Sequence, residues 1–217
     1  MTTRESDGRR AGMPTLGDGD GDRVRVRAFG PQDVPLILEA ADDPMIPLVT
    51  TVPPVADPRT ARGYLSRQAR RFARGEGYSF AIADRDDNAR GQIGLWPRRD
   101  DRGRAGIGYW LAPSARGRGF ASAAVRLVVD WAWTLGTIER LELFIEPSNT
   151  ASIAVAESTG FAREGLLRSW MPVGGTRRDM LVYACVRDRD GNGPAQRTGH
   201  APEVVNSGSP LRRRHDW

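Results

Sequence analysis

The stretch GYWLAPSARGRGFA, residues 108–121, decides how the rest of the chain is read. Its first part continues a run from Arg104 that reads as a strand and stops at Pro113. Its second part is a short loop, Arg116-Gly117-Arg118-Gly119, opening onto FASAAVRLVVDWAWTL (120–135). There Ala121, Ala124, Val125, Val128, Trp131, Ala132 and Leu135 fall on one apolar stripe, the strongest helical signal in the chain. The first amides of a helix have no partner inside it and point outward, which suits an anion. Glycines let that backbone approach a phosphate closely, and Arg116 and Arg118 add charge. The loop is not a P-loop, for GxxxxGK[ST] is missing, nor a dinucleotide fingerprint, for GxGxxG is missing. By itself it is equally well an ordinary tight strand-to-helix turn.

Working outward, VRVRAF (24–29) alternates as a strand and PQDVPLILEA carries a short helix. MIPLVTTVPP reads as a Pro-broken loop, after which Asp57 caps a helix from Pro58 to Ala73. YSFAIAD (78–84), GQIGLWP (91–97) and RAGIGYWLAP (104–113) are three strands joined by Asp- and Gly-rich turns. Beyond the long helix come a strand at 140–147, a short helix in NTASIAVAEST, and two strands around Gly174-Gly175. The order β α α β β β α β α β β predicts a mixed sheet with helices packed against it.

The chain has 217 residues, of which 39% are apolar and 27% charged, enough for one core. Residues 1–22 read as a disordered leader, 23–187 as the folded unit and 188–217 as a flexible basic tail. No run approaches the length of a membrane span and no apolar core of a signal peptide is present, so a cytoplasmic protein is expected. One cysteine, Cys185, excludes an internal disulfide framework, and two histidines near the C-terminus exclude a histidine-built metal centre. The net charge is +5, with every one of the 32 basic residues an Arg. That pattern fits a compositional bias, and also a surface for anionic partners.

Here the sequence resembles the Gcn5-related N-acetyltransferases (GNAT), in particular their ribosomal-protein N-terminal acetyltransferase-like (RimJ/RimL) branch. The acetyl-CoA signature of that family, Q/R-x-x-G-x-G/A, stands as Arg116-Gly117-Arg118-Gly119-Phe120-Ala121. IGYWLAP (107–113), NTAS (149–152), STGF with the following EG (158–165) and GTRRDMLVYA (175–184) also look like that branch. The resemblance runs from about Arg25 to Arg187. It implies an α/β (α+β) fold: a mixed, mostly antiparallel sheet of about seven strands, splayed between the fourth and fifth, with about four helices. It implies acetyl-CoA as cosubstrate, with no metal. The pantetheine arm would pair with the backbone of Tyr109, Trp110 and Leu111 in the splay. The pyrophosphate would rest on the amides of Arg116, Gly117, Arg118, Gly119, Phe120 and Ala121. Asn149, a good helix cap in its own right, would also hydrogen-bond the arm.

Many relatives carry a Tyr that protonates the leaving thiolate. By spacing from Gly160-Phe161 that place is Ala156 here, so the family's alternative, the serine of NxxS, makes Ser152 the expected acid. Ser152 is also a plain capping-turn serine. For the base, Glu142 and Glu146 share one strand face by period-two alternation, and Glu142 is the candidate if that face is the cleft. A weak base suffices for an α-amine, about a tenth neutral at pH 7, whereas a lysine is below about 0.1% neutral. Backbone amides near Trp110 and Leu111 would hold the developing oxyanion. Trp96, Trp170 and the loop 44–54 are candidates for an acceptor pocket, and Asp179 reads as an exposed ion pair beside Arg177 and Arg178.

The expected reaction is direct acetyl transfer from acetyl-CoA to a primary amine, on a protein N-terminus or on a metabolite. No membrane partner is expected and nucleic acid is disfavoured, while a homodimer is compatible with the sequence. Two other readings stay open at this level. One is a catalytically silent acyl-CoA-binding module, suggested by the missing tyrosine. The other is a ribosome- or RNA-binding protein, suggested by a pI of about 10.2.

Overall fold

The computed structural model describes residues 12–17 and 23–187. Seven strands form one sheet: β1 (Val24–Arg27), β2 (Tyr78–Asp84), β3 (Ala89–Pro97), β4 (Arg104–Leu111), β5 (Arg140–Ile145), β6 (Ala162–Val173) and β7 (Thr176–Val186). Their order is β1-β2-β3-β4-β5-β7-β6, and every pairing is antiparallel except β4 with β5. The helices are α1 (Val34–Ala41), α2 (Ile46–Val49), α3 (Pro58–Ala73), α4 (Phe120–Thr134) and α5 (Thr150–Ser158). The expected mixed sheet and element order are present. The addition is α2, a single turn within the stretch expected as loop.

Local chemistry explains where the elements begin. At α3, Asp57 Oδ1 accepts from the Thr60 amide at 2.7 Å while the Thr60 hydroxyl accepts from the Asp57 amide at 2.8 Å. Pro58 fills the first helical position, where a missing N–H costs nothing. The buried side of α4 carries Ala124, Val125, Val128 and Ala132, and the small alanines bring the helix close to the sheet.

The sheet separates two apolar layers. On one face α4 covers Val26, Phe80, Ile82, Ile93, Leu95, Ile107, Leu141 and Leu143. Trp131 of α4 packs there edge-on against Tyr78 and Phe80, at 4.7 and 5.5 Å between ring centroids. On the other face α1 and α3 enclose Leu36, Ile37, Tyr64 and Leu65 together with Trp110 and Ala112 of the β4 edge. Strand alternation sorts these side chains, so neighbouring residues Tyr109 and Trp110 serve opposite layers.

One expectation about the ends needs correction. Within the proposed disordered leader, Leu16 forms an antiparallel bridge to Val26, with N–H···O distances of 2.7 and 2.9 Å, and Met13 and Leu16 pack on the core. An apolar pair in an otherwise polar stretch finds the unpaired edge of β1. The remainder of the leader and the tail 188–217 lie outside the described residues.

Candidate active site

The parallel pairing of β4 and β5 has only three rungs, Arg104↔Arg140, Ala105↔Leu141 and Gly106↔Glu142. Beyond Gly106 the two strands part, while β4 stays paired with β3 up to Gly91↔Leu111 and β5 with β7 up to Ile145↔Leu181. The result is a gap bordered on each side by rigid sheet. The Ala112 amide donates to the Arg90 carbonyl on β3 at 2.9 Å. Backbone polarity alternates along a strand, so the amides of Leu111, Tyr109 and Ile107 face the gap, and that of Trp110 faces β3. Trp110 is therefore corrected as a backbone partner for a pantetheine arm or an oxyanion. Its indole is buried instead in the layer under α1 and α3.

At the open end of the gap lies the 116–121 loop. Gly117 and Gly119 have φ of +72° and +81°, and a Cβ on either would meet nothing. Conformation, not crowding, requires glycine at both positions. Gly119 caps α4 without a side chain, and the first helical bond runs from the Ala123 amide to the Gly119 carbonyl at 3.1 Å. The amides of Gly117 through Ser122 consequently find no partner among the described residues, a row of donors at a helix N-terminus. Arg116 departs from the expectation. Its amide bonds the Pro113 carbonyl at 3.3 Å, and its guanidinium reaches Asp43 at 2.7 Å. Arg118 lies over the Phe120 ring, 5.3 Å from its centroid.

Asp43 joins this loop to the next part of the site. Its Oδ1 accepts from the amides of Met45 and Ile46, both at 2.9 Å, and so starts α2. Burial opposes its charge, yet those amides and Arg116 hold its carboxyl below the usual carboxylate range. Nearby, Glu39 of α1 accepts from the Ser114 amide at 2.9 Å. Sequence reasoning missed both carboxylates. The signal was an Asp placed before Pro44 and the apolar run that follows.

On the far side of the gap, Asn149 caps α5 by accepting the Ser152 amide at Oδ1, 3.0 Å away. That bond fixes Ser152 in the first turn of α5. The Tyr109 hydroxyl, on β4, is buried without a hydrogen-bond partner among the described residues, and Ser152 is the polar side chain that faces it. Burial raises the Tyr109 pKa above the ordinary phenol value, with the serine partly opposing. Sequence reading offered only the backbone of Tyr109. Ala156 is fully buried and brings no polar group.

The face of the sheet opposite α4 holds the remaining candidates. Trp96 lies flat on Gly94, where a Cβ would stand 2.3 Å from the indole, and its Nε1 reaches towards Gly108. Arg71 of α3 sits above that ring, 5.0 Å from its centroid. Across the glycine floor at Gly106 and Gly108, β5 presents Glu142 and then Phe144 on the same face. Phe144 stacks on Trp170 of β6, centroids 6.0 Å apart. The turn of the β6–β7 hairpin reaches α2, where a Cβ on Gly174 would lie 3.5 Å from Leu48. Trp96 lies on the same sheet face as Glu142 and Phe144, Trp170 stacks on Phe144, and the 44–54 stretch meets the turn of the β6–β7 hairpin through Leu48.

Glu142 is 1% exposed at the last paired rung. Its Oε1 accepts from Arg104 Nη2 at 2.6 Å and from Arg140 Nε at 2.8 Å, while Oε2 is buried with no partner among the described residues. Arg104 also bonds Asp101, and Arg140 bonds Glu164. This ion-pair network closes the paired end of the β4–β5 junction, and nothing in the spacing of the sequence announced it. Asp179 is also corrected. It accepts from the Ser169 amide at 2.7 Å, and Arg177 donates to the carbonyls of Ser169 and Trp170 at 2.6 and 2.7 Å. These bonds brace a bulge in β6 where Ser169 has φ +51°.

No helix among the described residues is long and apolar enough to cross a membrane. Among the described residues no group of three or more His, Cys, Asp or Glu is placed to hold a metal ion.

Comparison with known proteins agrees with this geometry. Residues 23–162 match the Acetyltransferase (GNAT) domain family. An uncharacterised N-acetyltransferase, p20 of Bacillus licheniformis, is 29% identical over 167 residues, 76% of this chain and 94% of that protein. RimJ of Mycobacterium smegmatis, solved with a CoA disulfide, superposes with a TM-score of 0.65 at 28% identity, over 75% of this chain and 81% of that one. RimL, a ribosomal L7/L12 α-N-protein acetyltransferase solved with coenzyme A, shares the fold with a TM-score of 0.64 at 22% identity, over 76% and 94%. A gap with bare amides at its mouth, in a chain matched over most of its folded part, identifies a member of the GNAT family, an acetyl-CoA-dependent N-acetyltransferase.

Proposed function

We propose that the acceptor is the α-amine of a polypeptide, entering the cleft between Trp96 and the Phe144–Trp170 stack. The observation that carries this reading is the single buried carboxylate at the cleft's closed end, Glu142, with Oε2 unused and Oε1 held by two arginines. An α-amine needs only such a modest proton acceptor, because roughly a tenth of it is already neutral at pH 7. A lysine side chain would need far stronger help. A small-molecule amine of similar basicity is the second reading, since the aromatic walls suit any flat or apolar flank.

Each residue then has a part. The amides of Gly117, Arg118, Gly119, Phe120 and Ala121 receive the pyrophosphate of acetyl-CoA. The gap-facing amides of Tyr109 and Leu111 pair with the pantetheine arm, and the free NH₂ of Asn149 adds a donor across the gap. Leu111 N–H lies closest to the role of oxyanion donor once Trp110 is turned to β3. Glu142 takes the amine proton and Ser152 gives one to the leaving thiolate. Residues 23–187 are proposed as the whole catalytic unit, with the rest of the leader and the tail outside it. A homodimer and a cytoplasmic setting are compatible with this reading.

A thiol-release assay tests it with acetyl-CoA and four acceptor classes: peptides with free α-amines, N-acetylated peptides containing lysine, polyamines and small monoamines. The expected result is release with the first class and none with the second. Turnover confined to polyamines or lysine would overturn the α-amine reading.

A further inference from the structure

The buried hydroxyl of Tyr109 is the group in the gap whose place the scheme above leaves unexplained. It has no hydrogen-bond partner among the described residues, an arrangement that folded proteins seldom keep without a use. Its ring is fixed from one side, by the β3–β4 register at Ile93↔Tyr109 and by packing against the α4 layer. Ser152, the polar side chain facing it, is fixed from the other side by the Asn149 cap. The two side chains therefore face each other from opposite banks of the gap without a hydrogen bond between them, held by independent parts of the fold. Ala156, on the same helix as Ser152, supplies no proton.

We propose that Tyr109 acts through Ser152 as a positioning residue and proton reserve for the departing thiolate. The inference rests on the acetyl-transfer reading of the site. With acetyl-CoA in the gap the phenolic O–H, unpaired in the structure as it stands, turns to donate to Ser152 Oγ, which directs the serine's own proton towards the sulfur. As the nitrogen–carbonyl bond forms and the carbon–sulfur bond breaks, the thiolate takes the Ser152 proton and Ser152 takes the Tyr109 proton. The phenolate is refilled from solvent water after transfer, and Glu142 returns to solvent the proton it took from the amine, so the protons balance. A serine hydroxyl alone is a poor acid, and a phenol behind it supplies the missing acidity. Burial keeps that phenol protonated through neutral pH.

Kinetics of Tyr109→Phe, Ser152→Ala and the double variant test this, with acetyl-CoA and the best amine of the panel above. Tyr109→Phe keeps the ring and removes a hydroxyl with no other partner, so its Tm should equal or exceed that of the wild type. Its kcat should fall about tenfold, less than the roughly 10²–10⁴-fold of a direct proton donor, with the KM for acetyl-CoA unchanged. Ser152→Ala should fall at least as far, and the double variant no further than Ser152→Ala, because groups acting as one unit are not additive. A Tyr109→Phe kcat within twofold of wild type, or a double variant that loses the product of the two single losses, overturns the relay alone. Absence of thiol release by the wild type overturns the reading of the site and the relay with it.

Discussion

The two halves of the active site proposed above are built from different materials. The acetyl-CoA half is made of backbone: bare amides at 117–122, gap-facing amides on β4, and glycines at positive φ. The acceptor half is made of side chains brought from distant segments: Trp96 of β3, Glu142 and Phe144 of β5, Trp170 of a braced bulge, and Leu48 of α2. Backbone geometry is dictated by a few glycines and a helix start, so it is written locally. Side-chain geometry depends on pairings between residues up to 126 positions apart, as at Leu48 and Gly174. The first half is accordingly suited to one invariant ligand, and the second can be rebuilt around a new amine without disturbing the first.

The sharpest way to break that division is Gly119→Val. A β-branched residue at φ +81° is strained, and its side chain would cover the amides that await the pyrophosphate. Acetyl-CoA affinity by calorimetry should drop about 100-fold or more, the counterpart of about 2.7 kcal/mol. The acceptor half should stay folded, because the loop is exposed and packs against nothing at that position. If Gly119→Val instead weakened only the acceptor KM, the division into two halves would be wrong.

Glu142→Gln is the reciprocal variant. It removes the carboxylate at the foot of the cleft and leaves every bare amide in place. The expected result is a kcat lower by about 100-fold, the modest end for a general base, with acetyl-CoA affinity unchanged. Stability should fall by less than the about 3 kcal/mol typical of a broken buried pair, because Asp101 and Glu164 still neutralise Arg104 and Arg140. A stability loss with full activity in the surviving folded protein would make Glu142 a clamp on the β4–β5 rungs and nothing more.

What could be read from the sequence follows the same division. The strand into Pro113, the two glycines and the apolar stripe from Ala121 specified the gap and its amides, because each is a short-range feature. Asp57 and Pro58 fixed the start of α3 to the residue for the same reason. Alternation put Glu142 on the cleft face but said nothing of Arg104, 38 positions away, that would bind it. It could not show that Trp110 turns its amide to β3, because which strand edge is free depends on the register with Gln92. Arg116 reads as a phosphate ligand in the sequence, but Asp43, 73 positions earlier, holds its guanidinium.

That Asp43–Arg116 pair is the seam between the halves, and Asp43→Asn probes it. The folded carboxyl titrates below its ordinary value of 3.8, so the stability it contributes is complete above about pH 4 and is lost as pH falls through the folded value. At pH 7 the variant should be less stable by about 2 kcal/mol, the range for hydrogen bonds to a charged group. The difference from wild type should shrink to nothing as both are melted at progressively lower pH towards 3 and below. A penalty that persisted unchanged into acid would show that the start of α2, not the charge, is what Asp43 supplies. Acetyl-CoA affinity should move little, since the amides of Gly117 to Ser122 do not depend on it.

The smallest effect, and the finest test of the acceptor half, is Asp179→Ala. Asp179 holds the Ser169 amide and lies in solvent, so its loss removes one hydrogen bond worth about 1 kcal/mol. Melting temperature should fall by only about 2–4 °C. The bulge itself, however, sets where Trp170 stands against Phe144, and Ser169 occupies a left-handed conformation that a freed strand would abandon. Acceptor KM should therefore rise about fivefold, the equivalent of that one bond, while acetyl-CoA KM is unchanged. Trp170→Phe, which keeps a ring at the stack, should retain part of the acceptor affinity when Asp179 is intact and lose it when combined with Asp179→Ala. Equal KM values for Asp179→Ala and wild type would mean that the Phe144–Trp170 wall is set by the hairpin's contact with Leu48, and that the bulge does not tune the acceptor at all.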